Sequence, residues 1–136
     1  MSSVSAIKDQ LKIILGAVDG VNQAFDYLPR YIDLDNTVGV FWDGGTFEPA
    51  EIASHWAHYK FTIITAMYMF DETSMQEDQE QLALLELSAL RAKPSLNSTC
   101  LKQEVQEVKN DYVRNANGNI YATIEITLIA DIEEDD

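Results

Sequence analysis

Between positions 120 and 132 every second residue is apolar: Ile120, Ala122, Ile124, Ile126, Leu128, Ala130 and Ile132. The residues between them, Tyr121, Thr123, Glu125, Thr127, Ile129 and Asp131, are mostly polar or amphipathic. Successive side chains of a strand point to opposite faces, so this alternation predicts a strand whose apolar face needs a partner layer. Upstream, Asn117-Gly118 is a strong hairpin-turn signal. It predicts that at least 105–114 is the strand paired with the last one, although Leu101, Val105, Val108 and Tyr112 also have helical spacing.

The rest of the chain supplies the partner layer. Ile7, Leu11, Ile14, Leu15 and Val18 recur at spacings of three and four, which predicts an amphipathic helix over about 5–18. Segment 21–34 holds Phe25, Tyr27 and Pro29 and reads as a short extended piece with an irregular connection. Positions 37–42 alternate as a strand that Asp43-Gly44-Gly45 is expected to end. Positions 46 to about 54, with Pro49, are then either a long loop or a loop with a helical turn. From 56 to 70 both alternating sets are mainly apolar, as in a central strand covered on both faces.

Ser74 and Glu77 fit a capping box for a helix over about 75–92, with Leu82, Leu85 and Ala89 as its stripe, widened by Leu87 and Leu90. The order helix, strand, strand, helix, strand, strand predicts an α+β fold, a single domain over 1–136. Its sheet is antiparallel, of about four strands, with two α-helices packed on one face. The even-numbered residues of the last strand should meet Leu11, Leu15, Leu82 and Leu85. Residues 133–136, Glu-Glu-Asp-Asp, are expected as a frayed acidic tail.

Composition narrows the function. The 136 residues are 46% hydrophobic, enough for a real core, and the net charge is −14. That charge argues against a basic nucleic-acid-binding patch. A lone cysteine, Cys100, rules out an internal disulfide and fits a reducing compartment. The start lacks a signal-peptide layout, and no run approaches the roughly 20 apolar residues of a membrane helix. A soluble intracellular product is the expectation.

Candidate chemistry is sparse. His55 and His58 would share a helix face, but in a strand a spacing of three puts them on opposite faces, and no metal site is expected. Asp43-Gly44-Gly45 lacks the ending of a phosphate loop. No set of nucleophile, base and acid converges, so neither enzymatic activity nor a cofactor is expected.

The layout does resemble a known family. A short N-terminal helix is followed by the aromatic-proline connection Phe25-Asp26-Tyr27-Leu28-Pro29. Two strands flank a glycine-bearing loop, Asp43-Gly44-Gly45. A leucine helix follows, Leu82-Ala83-Leu84-Leu85-Glu86-Leu87, and a terminal hairpin carries NANGNIYATIEITLI. In size, element order and hydrophobic pattern the chain resembles the tail-terminator (tail-completion) proteins of long-tailed bacteriophages. The resemblance implies a virion protein that forms a homo-oligomeric ring, a hexamer, on the head-proximal end of the tail. Its implied partners are the tail-tube protein and a head-completion or connector protein, with DNA passing through the ring unbound. Alternatives are another connector or tail-tube subunit, or an acidic regulator that mimics DNA.

Two surfaces are expected to make the contacts. The loop after the glycines, with Phe47, Glu48, Pro49, Glu51 and Ile52, is the candidate partner-binding element. Its deletion over 46–51 should spare folding. The odd face of the last strand, with Tyr121, Thr123, Thr127 and Ile129, is the candidate subunit contact, because no helix remains to cover it.

Overall fold

A computed structural model of the chain describes residues 3–29, 35–49, 54–68, 72–114 and 120–135. The elements run α1 (Ser3–Gly16), β1 (Gln23–Phe25), β2 (Thr37–Pro49), β3 (Ser54–Tyr68), α2 (Glu72–Arg91), β4 (Lys102–Arg114) and β5 (Ile120–Asp135). The strands form one sheet in the order β1-β2-β3-β5-β4. All neighbours are antiparallel except β1 and β2, which are parallel. The fold is α+β, with five strands rather than about four. The extra strand, β1, comes from the segment read as irregular. Three residues are too few to show an alternation, and β1 is defined only by pairing with Thr37, Val38 and Gly39.

β5 lies between β3 and β4, and its ladder with β3 runs unbroken from Ser54 opposite Asp135 to Tyr68 opposite Tyr121. The expected acidic tail therefore belongs to the strand through Asp135. Ala122, Ile124, Ile126, Leu128 and Ala130 are fully buried. They join Ala57, Phe61, Ile63 and Met67 of β3 and the apolar sides of α1 and α2 in one core.

Leu11, Leu15 and Leu82 are buried there as the pattern requires, but Leu85 is 46% exposed. The buried side of α2 is Met75, Gln79, Leu82, Ala83, Glu86 and Leu90. Two of its members are polar, each with partners. The Thr65 hydroxyl donates to the Glu86 carboxyl oxygens at 2.8 and 3.0 Å. The Gln79 amide donates to the carbonyls of Thr123, at 2.9 Å, and Asp111, at 3.2 Å. These bonds satisfy groups that would otherwise be costly to bury. They also rotate the helix so that Leu84 and Leu85 face outward. α2 starts at Glu72, ahead of the expected Met75, so Ser74 and Glu77 lie inside it and are no capping box. Residues of these types three apart also occur within helices, so the pattern alone cannot mark a first residue.

β2 does not stop at its glycines. Trp42 stands opposite Phe61 and Gly45 opposite Tyr59, so Asp43 and Gly44 together oppose Lys60 alone. This is a β-bulge, and Gly44 adopts φ +89°, a conformation that side chains other than hydrogen disfavour. Beyond it the ladder continues to Pro49 opposite His55. Positions 46–49 are therefore strand, where a loop was expected, and a deletion over 46–51 would remove paired residues instead of sparing the fold. Glu51 and Ile52 lie outside the described residues. A second bulge, between Val105 and Glu107, interrupts β4.

Two predictions follow from this core. Ile126→Asp places a carboxylate in the centre of the packed layer, at a cost of about 4 kcal/mol or more, a large part of a domain's stability. It should abolish cooperative unfolding by circular dichroism. Ile129→Asp, on the other face, should leave the native spectrum intact. Equal loss of structure in both would mean that Ile129 is as buried as Ile126 and that the two faces are misplaced.

Burial pushes the Glu86 carboxyl up to about 7 from 4.5, against the smaller opposing effect of the Thr65 hydrogen bond. A carboxyl raised on folding stabilises fully below its unfolded value. That contribution falls as the pH rises toward the folded value and is gone above it. The loss is on the order of 3 kcal/mol. Glu86→Gln should therefore gain stability relative to the wild type between pH 5 and 8, as measured by urea unfolding at each pH.

Candidate functional site

Registry divides the sheet into two faces. Odd residues of β3 and even residues of β5 face the helices, as the Thr65–Glu86 bond shows directly. On the other face lie Trp56, His58, Lys60, Thr62, Ile64, Ala66 and Tyr68 of β3, beside Tyr121, Thr123, Glu125, Thr127, Ile129 and Asp131 of β5. All four residues expected at a subunit contact are therefore on one surface, each half-buried by its neighbours along the sheet. Tyr121 stacks at a tilt on Tyr68, ring centres 5.1 Å apart. Phe41 of β2 is on the same face and 45% exposed.

Among the described residues, both helices lie on the opposite side. On the helix-free side the turn Tyr27-Leu28-Pro29 crosses at Gly39. A β-carbon on Gly39 would stand 2.9 Å from the Tyr27 carbonyl oxygen and 3.1 Å from the Pro29 ring. The glycine thus permits a chain crossing that a larger residue would block.

At the far end of the sheet, near the β2–β3 connection, each face carries its own cluster. On the helix side, but past the helices, the bulge brings Trp42 and Phe47 to the same face. They are five positions apart and would otherwise point oppositely. Both meet Tyr59 edge-on, at centroid distances of 5.6 and 6.0 Å, and Phe47 also meets the His55 ring at 5.4 Å. The Tyr59 hydroxyl donates to both Glu134 carboxyl oxygens at 2.9 Å. Burial, then the bond to Glu134, pushes the phenol up to about 12, so it stays protonated. Tyr59 is buried, whereas Trp42 is 40% and Phe47 58% exposed. The cluster is a fixed aromatic platform with its outer rings in water.

On the opposite side, His58 Nδ1 lies 2.6 Å from Asp131 Oδ1, and Nε2 lies 3.6 Å from Glu48. Lys102 of β4 approaches Asp131 at 3.8 Å. The hydrogen bond to Asp131 raises the imidazole above its ordinary value. Burial lowers it, and the charges of Asp131 and Glu48 raise it further. These contacts tie β2, β3, β5 and β4 together at the sheet's end. His55 and His58 are on opposite faces, as their spacing in a strand requires. Among the described residues no group of three His, Cys, Asp or Glu side chains is placed so that it could hold a metal ion.

Of the expected partner-binding residues, Phe47, Glu48 and Pro49 are together on β2. Glu48 points to the face of His58, and Phe47 to that of Tyr59. Trp42, Tyr59 and Glu134 belong to the platform but were not singled out from the sequence. A glycine pair inside an apolar run is the signal that could have found them, because it marks a bulge as readily as a turn.

A further apolar surface lies outside the helix layer. Ile13 of α1 and Ala17 just beyond it, with Leu85 and Ala89 of α2 and Ala92 just beyond it, line a groove of about 520 Å³. Ile13 is 51% exposed and Leu85 46%.

The chain matches no protein-family model and no curated protein. Among solved structures it is similar to a chain of a "Virion of native gene transfer agent (GTA) particle". The TM-score is 0.44 at 12% identity, covering 96% of this chain and 94% of that one.

Proposed function

We propose that the protein is a non-catalytic structural component of a phage-like virion. In this reading it is a ring-forming tail terminator that caps the tail tube and offers the surface to which the head joins. The carrying observation is a sheet with both helices, among the described residues, on one side, whose other side presents an exposed Phe41 and the half-buried Ile64, Thr127 and Ile129. A monomer gains little from leaving Phe41 in water and Ile64 and Ile129 half-covered, whereas a subunit in a ring covers them further. The sheet's edges fit the same reading. β1 pairs only with Thr37–Gly39, so the remainder of β2 is an edge, and β4 is the other. Charged residues along β4, among them Glu104, Glu107, Lys109 and Asp111, discourage indiscriminate pairing there.

In the ring the protein's partners are further copies of itself, six in all, the tail-tube protein, and a head-completion or connector protein. The net charge of −14 would keep DNA from adhering as it passes. DNA mimicry fits the helix-free face less well. Lys60 pairs with Asp43 at 3.4 Å and Lys102 approaches Asp131, so that surface alternates in sign.

The test is assembly. Added to polymerising tail-tube protein, the wild type should shorten the tubes and appear as a ring at one end by electron microscopy. Folded Ile129→Asp should lose at least tenfold in this arrest. Tubes of unchanged length with the wild type would refute the proposal.

A further inference from the structure

Strand β4 ends the sheet, so its outer edge has no strand partner. The amide of Gln103 shows which residues line that edge, because it donates to the Pro94 carbonyl at 2.8 Å, away from β5. Side chains and peptide groups alternate together along a strand, so residues on one face turn their amides and carbonyls to one side. Gln103 stands opposite Ala130, on the helix side. Val108, Asn110 and Tyr112 share that side, opposite Ile126, Ile124 and Ala122. Their peptide groups therefore point outward. Tyr112 agrees with this, since its amide is held by the Asp111 carboxylate at 2.8 Å. Beyond the bulge, the stretch from Glu107 onward is regular.

Exposure and charge along this stretch are arranged symmetrically about Asn110. On the helix side Val108 and Tyr112 flank it, 36% and 41% exposed. On the other face Lys109 and Asp111 flank it, both exposed and of opposite sign. Antiparallel pairing of the stretch with a copy of itself reverses the order about the centre. Centred on Asn110, it sets Val108 opposite Tyr112 and Lys109 opposite Asp111, each twice. A β-branched residue facing an aromatic and opposite charges facing each other are favourable cross-strand pairs. The centre has to be an outward residue. Centring on Val108 would instead set Tyr112 against Glu104 across the bulge, where the ladder breaks. Centring on Tyr112 would set Val108 and Lys109 against positions beyond the end of the strand at Arg114.

We propose that the β4 edge is an interface with a second copy of this chain, the two strands pairing antiparallel about Asn110 and joining two five-stranded sheets into one. The peptide groups of Val108 bond those of Tyr112 across the axis, and those of Asn110 bond their counterparts. The Tyr112 amide exchanges the Asp111 carboxylate for a strand carbonyl, and Asp111 turns to Lys109 of the other copy. On the helix-free face the row of Glu125, Lys109 and the other copy's Asp111 then alternates in sign. The charges that discourage an arbitrary strand thus fit this one. The contact is isologous and closes at two copies. It uses the edge of the sheet, needs no part of the ring reading, and leaves the helix-free face open.

The test is analytical sedimentation of the full chain over a range of concentrations. The wild type should form dimers. Lys109→Glu sets a carboxylate against Asp111, and Asp111→Lys sets an ammonium against Lys109, so each variant alone should dimerise at least tenfold more weakly. An equal mixture of the two should regain dimers, because each copy then meets opposite charge at both positions. Asn110→Pro, which removes only an outward amide, should keep the native circular dichroism spectrum and lose dimerisation. Association that survives both charge changes overturns the proposal. So does a mixture that associates no better than either variant alone, or a wild type that stays monomeric at every concentration. Tail-tube arrest tests the ring reading by itself, so the two can fail separately.

Discussion

The register between β3 and β5 is the constraint on which the rest of the molecule depends. Side chains in a strand repeat with a period of two, so a slip of one residue would carry Ile124, Ile126 and Leu128 from the helix layer to the open face. It would also break each side-chain pairing that uses this ladder. The Glu134 carboxylate would leave the Tyr59 hydroxyl, and Asp131 would leave His58. The core and the two clusters at the sheet's end are consequences of one alignment. Helix α2 reads that alignment from above, because Glu86 bonds Thr65 of β3 and Gln79 bonds the carbonyls of β4 and β5.

Those two polar contacts explain how an α2 with outward leucines remains firmly seated. A helix packed only by apolar residues could roll to bury Leu85 in place of Glu86 and gain apolar area. Rolling here would strip the buried Gln79 amide of its carbonyl acceptors and leave it unpaired, which costs more than an unbonded surface group. Specificity of orientation is thus set by hydrogen bonds, and the outward leucines follow from it. The groove between α1 and α2 is a by-product of the same choice. Leu85 can be one of its walls only because Glu86 occupies the buried position.

Much of this was legible in the sequence wherever periodicity ran uninterrupted. The faces of β5, the stripe Ile7-Leu11-Ile14-Leu15 and the central place of β3 each follow from repeats long enough to read. The misreadings have a common physical origin, a local break in period. In β4 a bulge falls between Val105 and Val108, which puts both on the helix side although they are three apart. That spacing is what made the segment look helical. In β2 the Asp43-Gly44 bulge looked like the end of a strand, so the residues beyond it were read as loop. In α2 the polar members of the buried stripe hid it, and the leucines marked the wrong side. β1 depends on a parallel partner more than ten residues away and has no local pattern at all.

The bulge in β2 also determines what the hairpin can present. In an unbroken strand Trp42 and Phe47 would lie on opposite faces, and Phe47 would share the face of His58 and Asp131, beside charges that must stay hydrated. The extra residue inverts the alternation. It moves Phe47 to the aromatic side and assigns Glu48 to the charged one. The tip thereby becomes two-faced, with an aromatic surface on one side and a carboxylate on the other, joined through adjacent residues. Gly44 is tolerated in the strand because its backbone conformation is the condition for that inversion. A larger residue there would strain the bulge, and a repaired, regular strand would turn Phe47 toward the ion pairs. The glycine that seemed to end the strand is what gives its outer half an apolar anchor.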